Sequence, residues 1–133
     1  MHAFGSFEVT VTPEAQAPAP EGGLPTSRMA IHKTFTGDLV GEASGTMLAA
    51  GVPAPGHAAA YVAVDQVHGT LGGRAGGFVL LHRGTMTRAG ASELSVTIAP
   101  DSGTGALAGI EGSLVIRQDG KQHHYELSYS LPG

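Results

Sequence analysis

The sequence predicts an all-β fold, a single closed or nearly closed antiparallel β-barrel of about eight strands. Three observations carry that expectation. Twenty-one glycines among 133 residues separate short β-branched or apolar runs, a 3.6-residue periodicity is almost absent, and tight glycine-bearing turns recur between the runs.

Taken in order, strands are expected at about 4–12, 28–36, 39–49, 59–71, 74–88, 92–99, 112–118 and 121–130. The connection 13–27 is rich in Pro, Ala and Gly and reads as an extended loop, as does 50–57. The glycine-rich stretch 100–111 is too long for a hairpin turn and is expected to fold over one end of the sheet. Nothing marks a second domain, so residues 1–133 form one unit.

Composition narrows the function. A net charge of −4 without a basic cluster or a tryptophan argues against nucleic acid as a partner. Cysteine is absent, which removes disulfides, thiolate nucleophiles and cysteine-based metal sites. No apolar run approaches the ~20 residues of a spanning helix, and the N-terminal residues do not read as a secretory signal. The expectation is a cytoplasmic protein that does not engage a membrane.

Two-residue turns fix register, and register fixes which side chains meet. A turn at Gly72-Gly73 pairs Val67 with Phe78, Asp65 with Leu80 and Ala63 with His82. Asp65 and His82 then become diagonal neighbours on one face, with Cα atoms roughly 7–8 Å apart. A turn at Asp119-Gly120 puts Leu114, Ile116, Tyr125, Leu127 and Tyr129 on the interior face. A turn at Gly37-Asp38 opposes Lys33 to Glu42 on the face holding Met29, Ile31, Phe35, Val40 and Leu48. Ionisable groups among apolar neighbours are poorly explained by stability alone. An apolar lumen with a few converging polar groups is the usual composition of a small-molecule pocket.

The stretches Lys33-Thr34-Phe35-Thr36-Gly37-Asp38-Leu39, Gly69-Thr70-Leu71-Gly72-Gly73-Arg74, Gly77 to Thr85 and Gly103 to Ile110 together resemble a bacterial domain-of-unknown-function family. Its members adopt the allene oxide cyclase-like barrel, a relative of the calycin barrels. The resemblance runs from Gly5 to Leu131 and implies a closed barrel with a lined interior, often self-associating, so a homo-oligomer is one expected state. It implies no settled activity, although plant allene oxide cyclases and several bacterial cyclases fold apolar substrates inside such barrels. Against the family pattern, Asp65 stands where Glu is common, Val11 where a bulky aromatic is common, and Leu81 where Gln is common. The shorter Asp65 reaches less far, and Val11 leaves more room.

Asp65 and His82 are the candidate catalytic pair, a general acid/base couple inside the barrel. Lys33, Glu42, Tyr61, Phe78, Leu80, Tyr125 and Tyr129 are the candidate ligand-binding residues. Metal binding is not expected: no His-x-His spacing occurs, and adjacent His123 and His124 face opposite ways. Neither a phosphate-binding glycine motif nor a nucleophile elbow is present. The reading is a cofactor-independent isomerase or cyclase acting on a small, largely apolar metabolite. A non-catalytic barrel that binds a small hydrophobic molecule, and an interaction protein working through its outer surface, stay open beside it.

Overall fold

The structure, a computed structural model, describes residues 1–133 and contains nine strands and no helix. They are β1 (His2–Ala17), β2 (Thr26–Gly37), β3 (Leu39–Gly51), β4 (Ala59–Leu71), β5 (Arg74–Met86), β6 (Ser92–Ile98), β7 (Thr104–Gly105), β8 (Glu111–Asp119) and β9 (Gln122–Ser130). Antiparallel pairing runs β1-β2-β3-β4-β5-β6-β8-β9, and β9 returns to β1. Eight strands thus close a barrel. The ninth, β7, hangs on β5 through Gly76↔Gly105 and Gly77↔Thr104.

The Gly72-Gly73 reversal behaves as expected. Both residues have positive φ, 56° and 82°, as a two-residue primed turn demands. The expected register therefore holds from Leu71↔Arg74 to Ala63↔His82.

The other two turns differ from expectation, with opposite consequences. The β8–β9 reversal lies further along, and Leu114 pairs with Leu127 instead of Tyr125. That slip of two residues preserves the faces. In the β2–β3 reversal, Phe35 pairs with Gly41 and Lys33 with Ala43, so the loop has three residues, not two. Asp38 explains the extra residue: its carboxylate accepts the Phe4 N–H at 2.8 Å and its own N–H donates to the Phe4 carbonyl at 3.0 Å. A one-residue slip turns every following side chain to the other face. Leu39 and Ala43 accordingly point inward, while Val40, Glu42 and Leu48 point out.

The stretch 13–27 is loop only over 18–25 and strand at both of its ends. β1 and β2 stay paired to Ala17↔Thr26, with a bulge between Pro13 and Ala15. Proline cannot donate to a ladder, and a bulge is the usual accommodation.

One end of the barrel is packed solid. Phe35, Leu39, Leu71, Phe78, Tyr125 and Leu127 fill it, and the 99–110 segment tucks Leu107 and Ile110 into the same cluster. The glycine-rich stretch is thus a plug whose side chains belong to the core.

The opposite end has fewer walls. β8 and β9 have nine residues each against thirteen in β3, β4 and β5, so they span about 30 Å where their neighbours span about 43 Å. β1 pairs with β9 only as far as Phe7↔His123, and β6 meets β8 only at Thr97↔Ser113. Beyond those points six strands form an open trough.

Candidate functional site

Between plug and trough lies a layer of charge. Reading down the lumen, β2 presents Phe35, Lys33, Ile31 and Met29, β4 presents Val67, Asp65, Ala63 and Tyr61, and β5 presents Leu80, His82, Gly84 and Met86. Each strand therefore passes from packed core through one ionisable residue to the open half. Lys33, Asp65 and His82 are the buried charged or polar side chains, with Asp65 fully enclosed at 0% exposure.

The three converge on one oxygen. Lys33 Nζ donates to Asp65 Oδ2 at 2.7 Å, and His82 Nε2 lies 2.9 Å from the same atom. β3 separates Lys33 from Asp65, yet its inward residues Ala43 and Gly45 are small enough to let the lysine reach across. A Cβ on Gly45 would run into Asp65 Oδ1. That Oδ1 is the single sealed side-chain polar atom without a hydrogen-bond partner. Lys33 Nζ also lies 5.3 Å from the centre of the Phe7 ring, where a cation–π attraction adds to its restraint.

Burial pushes the Asp65 carboxyl up, but the hydrogen bond from His82 and the charge of Lys33 outweigh it and hold the group below the ordinary carboxylate range. An ionised carboxylate only accepts, so the proton on its contact with His82 belongs to Nε2. In the neutral ring Nδ1 then carries the lone pair. Nδ1 makes no hydrogen bond and is not among the sealed atoms, so it is left as a free acceptor on a ring whose orientation Asp65 fixes. Such a carboxylate–imidazole pair, with a cation beside it, can take up or release a proton and stabilise a neighbouring negative oxygen.

Toward the open end the trough holds a cavity of about 610 Å³, eleven of whose eighteen lining residues are hydrophobic; its lining reaches Tyr61 and Gly84 but not the three charged side chains. Met29, Met47 and Met86, with Val11, Leu94 and Tyr61, supply most of its apolar wall. Methionine adapts to irregular shapes, so the wall suits a flexible or variable guest. Burial, and secondarily the charge of Asp65, push the Tyr61 phenol above its usual range, which keeps it a neutral donor at ordinary pH. Its ring covers Gly84, where a Cβ would collide with it.

A family model described as a protein of unknown function, DUF3224, matches residues 3–129. The chain belongs to the DUF3224 family. A crystal structure of a DUF3224 protein of unknown function from Shewanella oneidensis MR-1 is 40% identical to it, with a TM-score of 0.89 over 100% of this chain and 98% of that one. No curated protein matches the chain. Neither finding brings an activity or a ligand with it.

Within this DUF3224 barrel the residues singled out from sequence separate into three groups. Lys33, Asp65 and His82 come together, and Tyr61 lines the cavity above them. Phe78, Leu80 and Tyr125 do not face open space: all three belong to the buried core. The Tyr125 hydroxyl is committed to the chain itself, accepting the Leu39 N–H and donating to the Thr36 carbonyl, each at 2.9 Å. Burial pushes this phenol up, against the hydrogen bond from Leu39. Tyr129 packs against the same cluster near the Gly72 turn, at the solid end. Glu42 is the clear error. It lies outside the barrel, opposite Thr34 and His68, with His32 at 3.7 Å, because the longer β2–β3 loop reverses its face. The partner of Lys33 is Asp65.

Sequence reasoning missed the methionine wall and the lysine's crossing of β3. The signal was present in Ala43-Ser44-Gly45, a small-polar-small pattern that vacates the lumen beside the charge.

Proposed function

We propose that the open half of the barrel binds a small, largely apolar molecule, with the Lys33–Asp65–His82 layer forming the polar end of the chamber. The observation that supports it most is the 610 Å³ apolar cavity in the trough, whose size is within the ~300–1,000 Å³ range of small-molecule sites. The cavity reaches Gly84, the next inward residue of β5 after His82, though none of the three charged side chains lines it. Native mass spectrometry of the chain with a panel of apolar metabolites tests it. A one-to-one complex is expected, and Ala49→Trp, which fills the cavity from β3, abolishes it. Complexes that form equally well with Ala49→Trp would reject the chamber.

A second reading, a cofactor-independent isomerase or cyclase like those built on allene oxide cyclase-like barrels, is favoured by one specific observation. His82 is held by Asp65 through Nε2 while Nδ1 stays unbonded, the arrangement of an oriented general base, and Lys33 stands ready to stabilise an enolate oxygen. Here the bound molecule leaves as an isomer, with a proton lost and regained through His82. His82→Ala then suppresses conversion while retaining the one-to-one complex. Unchanged turnover in both His82→Ala and Asp65→Asn would leave binding alone.

A further inference from the structure

The lining of the open chamber has a chemical bias of its own. Of its eighteen residues none is lysine, arginine or histidine, and the one charged member, Glu93, is an exposed carboxylate. Lys33, the buried cation of the lumen, lies outside that lining and is already neutralised by Asp65 at 2.7 Å. A guest anion drawn into the cavity would therefore meet no free counter-charge, and burying an unpaired charge among apolar walls is strongly unfavourable.

The side-chain polar groups that line the cavity besides Glu93 are neutral hydroxyls, those of Ser27, Tyr61, Thr85 and Ser92. Tyr61 is the deepest of them along its strand, two residues from buried Ala63 and four from Asp65. Small residues flank it on both sides, Ala49 on β3 and Gly84 on β5, and its ring lies across the glycine. The Tyr125 hydroxyl is bonded to the chain, whereas that of Tyr61 makes no such bond and is not sealed off from the cavity. Burial, and then the charge of Asp65, keep the phenol protonated, so what it offers a guest is an O–H donor.

We propose that the guest of the chamber is an apolar molecule carrying a neutral carbonyl oxygen, a ketone or ester, which accepts a hydrogen bond from Tyr61, and that the carboxylate of the same chain is rejected. The proposal names the ligand class of the chamber and rests on that reading. Selectivity in an apolar pocket comes from a few placed polar groups. A carbonyl satisfies the phenol and brings no charge. A carboxylate gives up its hydration without gaining a cation, and Glu93 repels it.

Displacement of a bound apolar naphthylamine probe, followed by fluorescence at neutral pH, tests this with nonyl methyl ketone and decanoate, which share one alkyl chain and differ in the headgroup. From the wild type the ketone is expected to displace the probe at concentrations at least about tenfold below those decanoate requires. Tyr61→Phe keeps the ring over Gly84 and removes only the oxygen. It should weaken the ketone roughly threefold to tenfold, the worth of one hydrogen bond, and leave the probe and decanoate unchanged. Val62 is the outward neighbour, 51% exposed, and Val62→Lys should match the wild type with all three. Equal displacement by ketone and decanoate, or a ketone that responds to Val62→Lys and not to Tyr61→Phe, would overturn the proposal and leave the chamber in place. A wild type that takes up neither probe nor ketone would reject the chamber itself, and the proposal with it.

Discussion

Asp65 is enclosed on every side and bonded to two donors, so its substitution leaves Lys33 buried with no counter-charge. Breaking a buried pair by removing one partner costs about 3–5 kcal/mol, and a loss of that size is expected for Asp65→Asn by urea unfolding at neutral pH. The pH dependence follows from the lowered carboxyl pKa. Because the folded value lies below the unfolded one of about 3.9, the stabilisation is complete above the unfolded value and is lost as pH falls through the folded value. The acid limb of the stability curve should flatten in Asp65→Asn, and parallel limbs in the two proteins would contradict the assignment. Gly45→Ala carries a related prediction. Its added methyl meets Asp65 Oδ1, so the variant should lose stability and shift the Asp65 carboxyl resonance in ¹³C spectra, although no charge has changed. An unperturbed carboxyl would mean that the gap at Gly45 is not what accommodates Asp65 Oδ1.

At the scale of elements, turns decided how far the sequence could be read. Gly72-Gly73 has one sensible geometry, and it delivered the Asp65–His82 pairing in the right register. Asp119-Gly120 was misplaced, but a slip of two residues leaves each side chain on its own face, so the interior set Leu114, Ile116, Tyr125 and Leu127 stayed correct. Gly37-Asp38 failed because its conformation is set by groups far away in sequence, the Phe4 backbone above all. Local turn preferences hold no record of that contact. Which lumen positions are open was equally illegible, since it depends on β8 and β9 ending short of their neighbours and on Leu107 and Ile110 arriving from a glycine-rich connection. That plug yields a prediction of its own. Leu107→Ala removes a fully buried side chain from the solid end and should cost about 2–5 kcal/mol in urea unfolding. Ligand binding at the other end should survive it at temperatures where the variant stays folded. A cost under 1 kcal/mol would mean that the segment merely lies on the barrel.

Across the whole molecule, one closed sheet performs two tasks at its two ends. The packed half gathers the buried aromatic and aliphatic side chains that hold the barrel shut, with the paired ionised layer at its boundary. The other half, freed from packing by the shorter β8–β9 hairpin, keeps an adaptable methionine wall. Family membership accounts for the architecture, and the charged layer with the space above it is what points to a use.

The most direct test of this division is a fluorescence titration with an apolar naphthylamine probe, comparing the wild type with Ala49→Trp and Val62→Lys. One probe per chain should bind the wild type and Val62→Lys, and none should bind Ala49→Trp. If the probe binds Ala49→Trp as it does the wild type, or is lost only when the outer face is altered, the open half of the lumen is not the receptor.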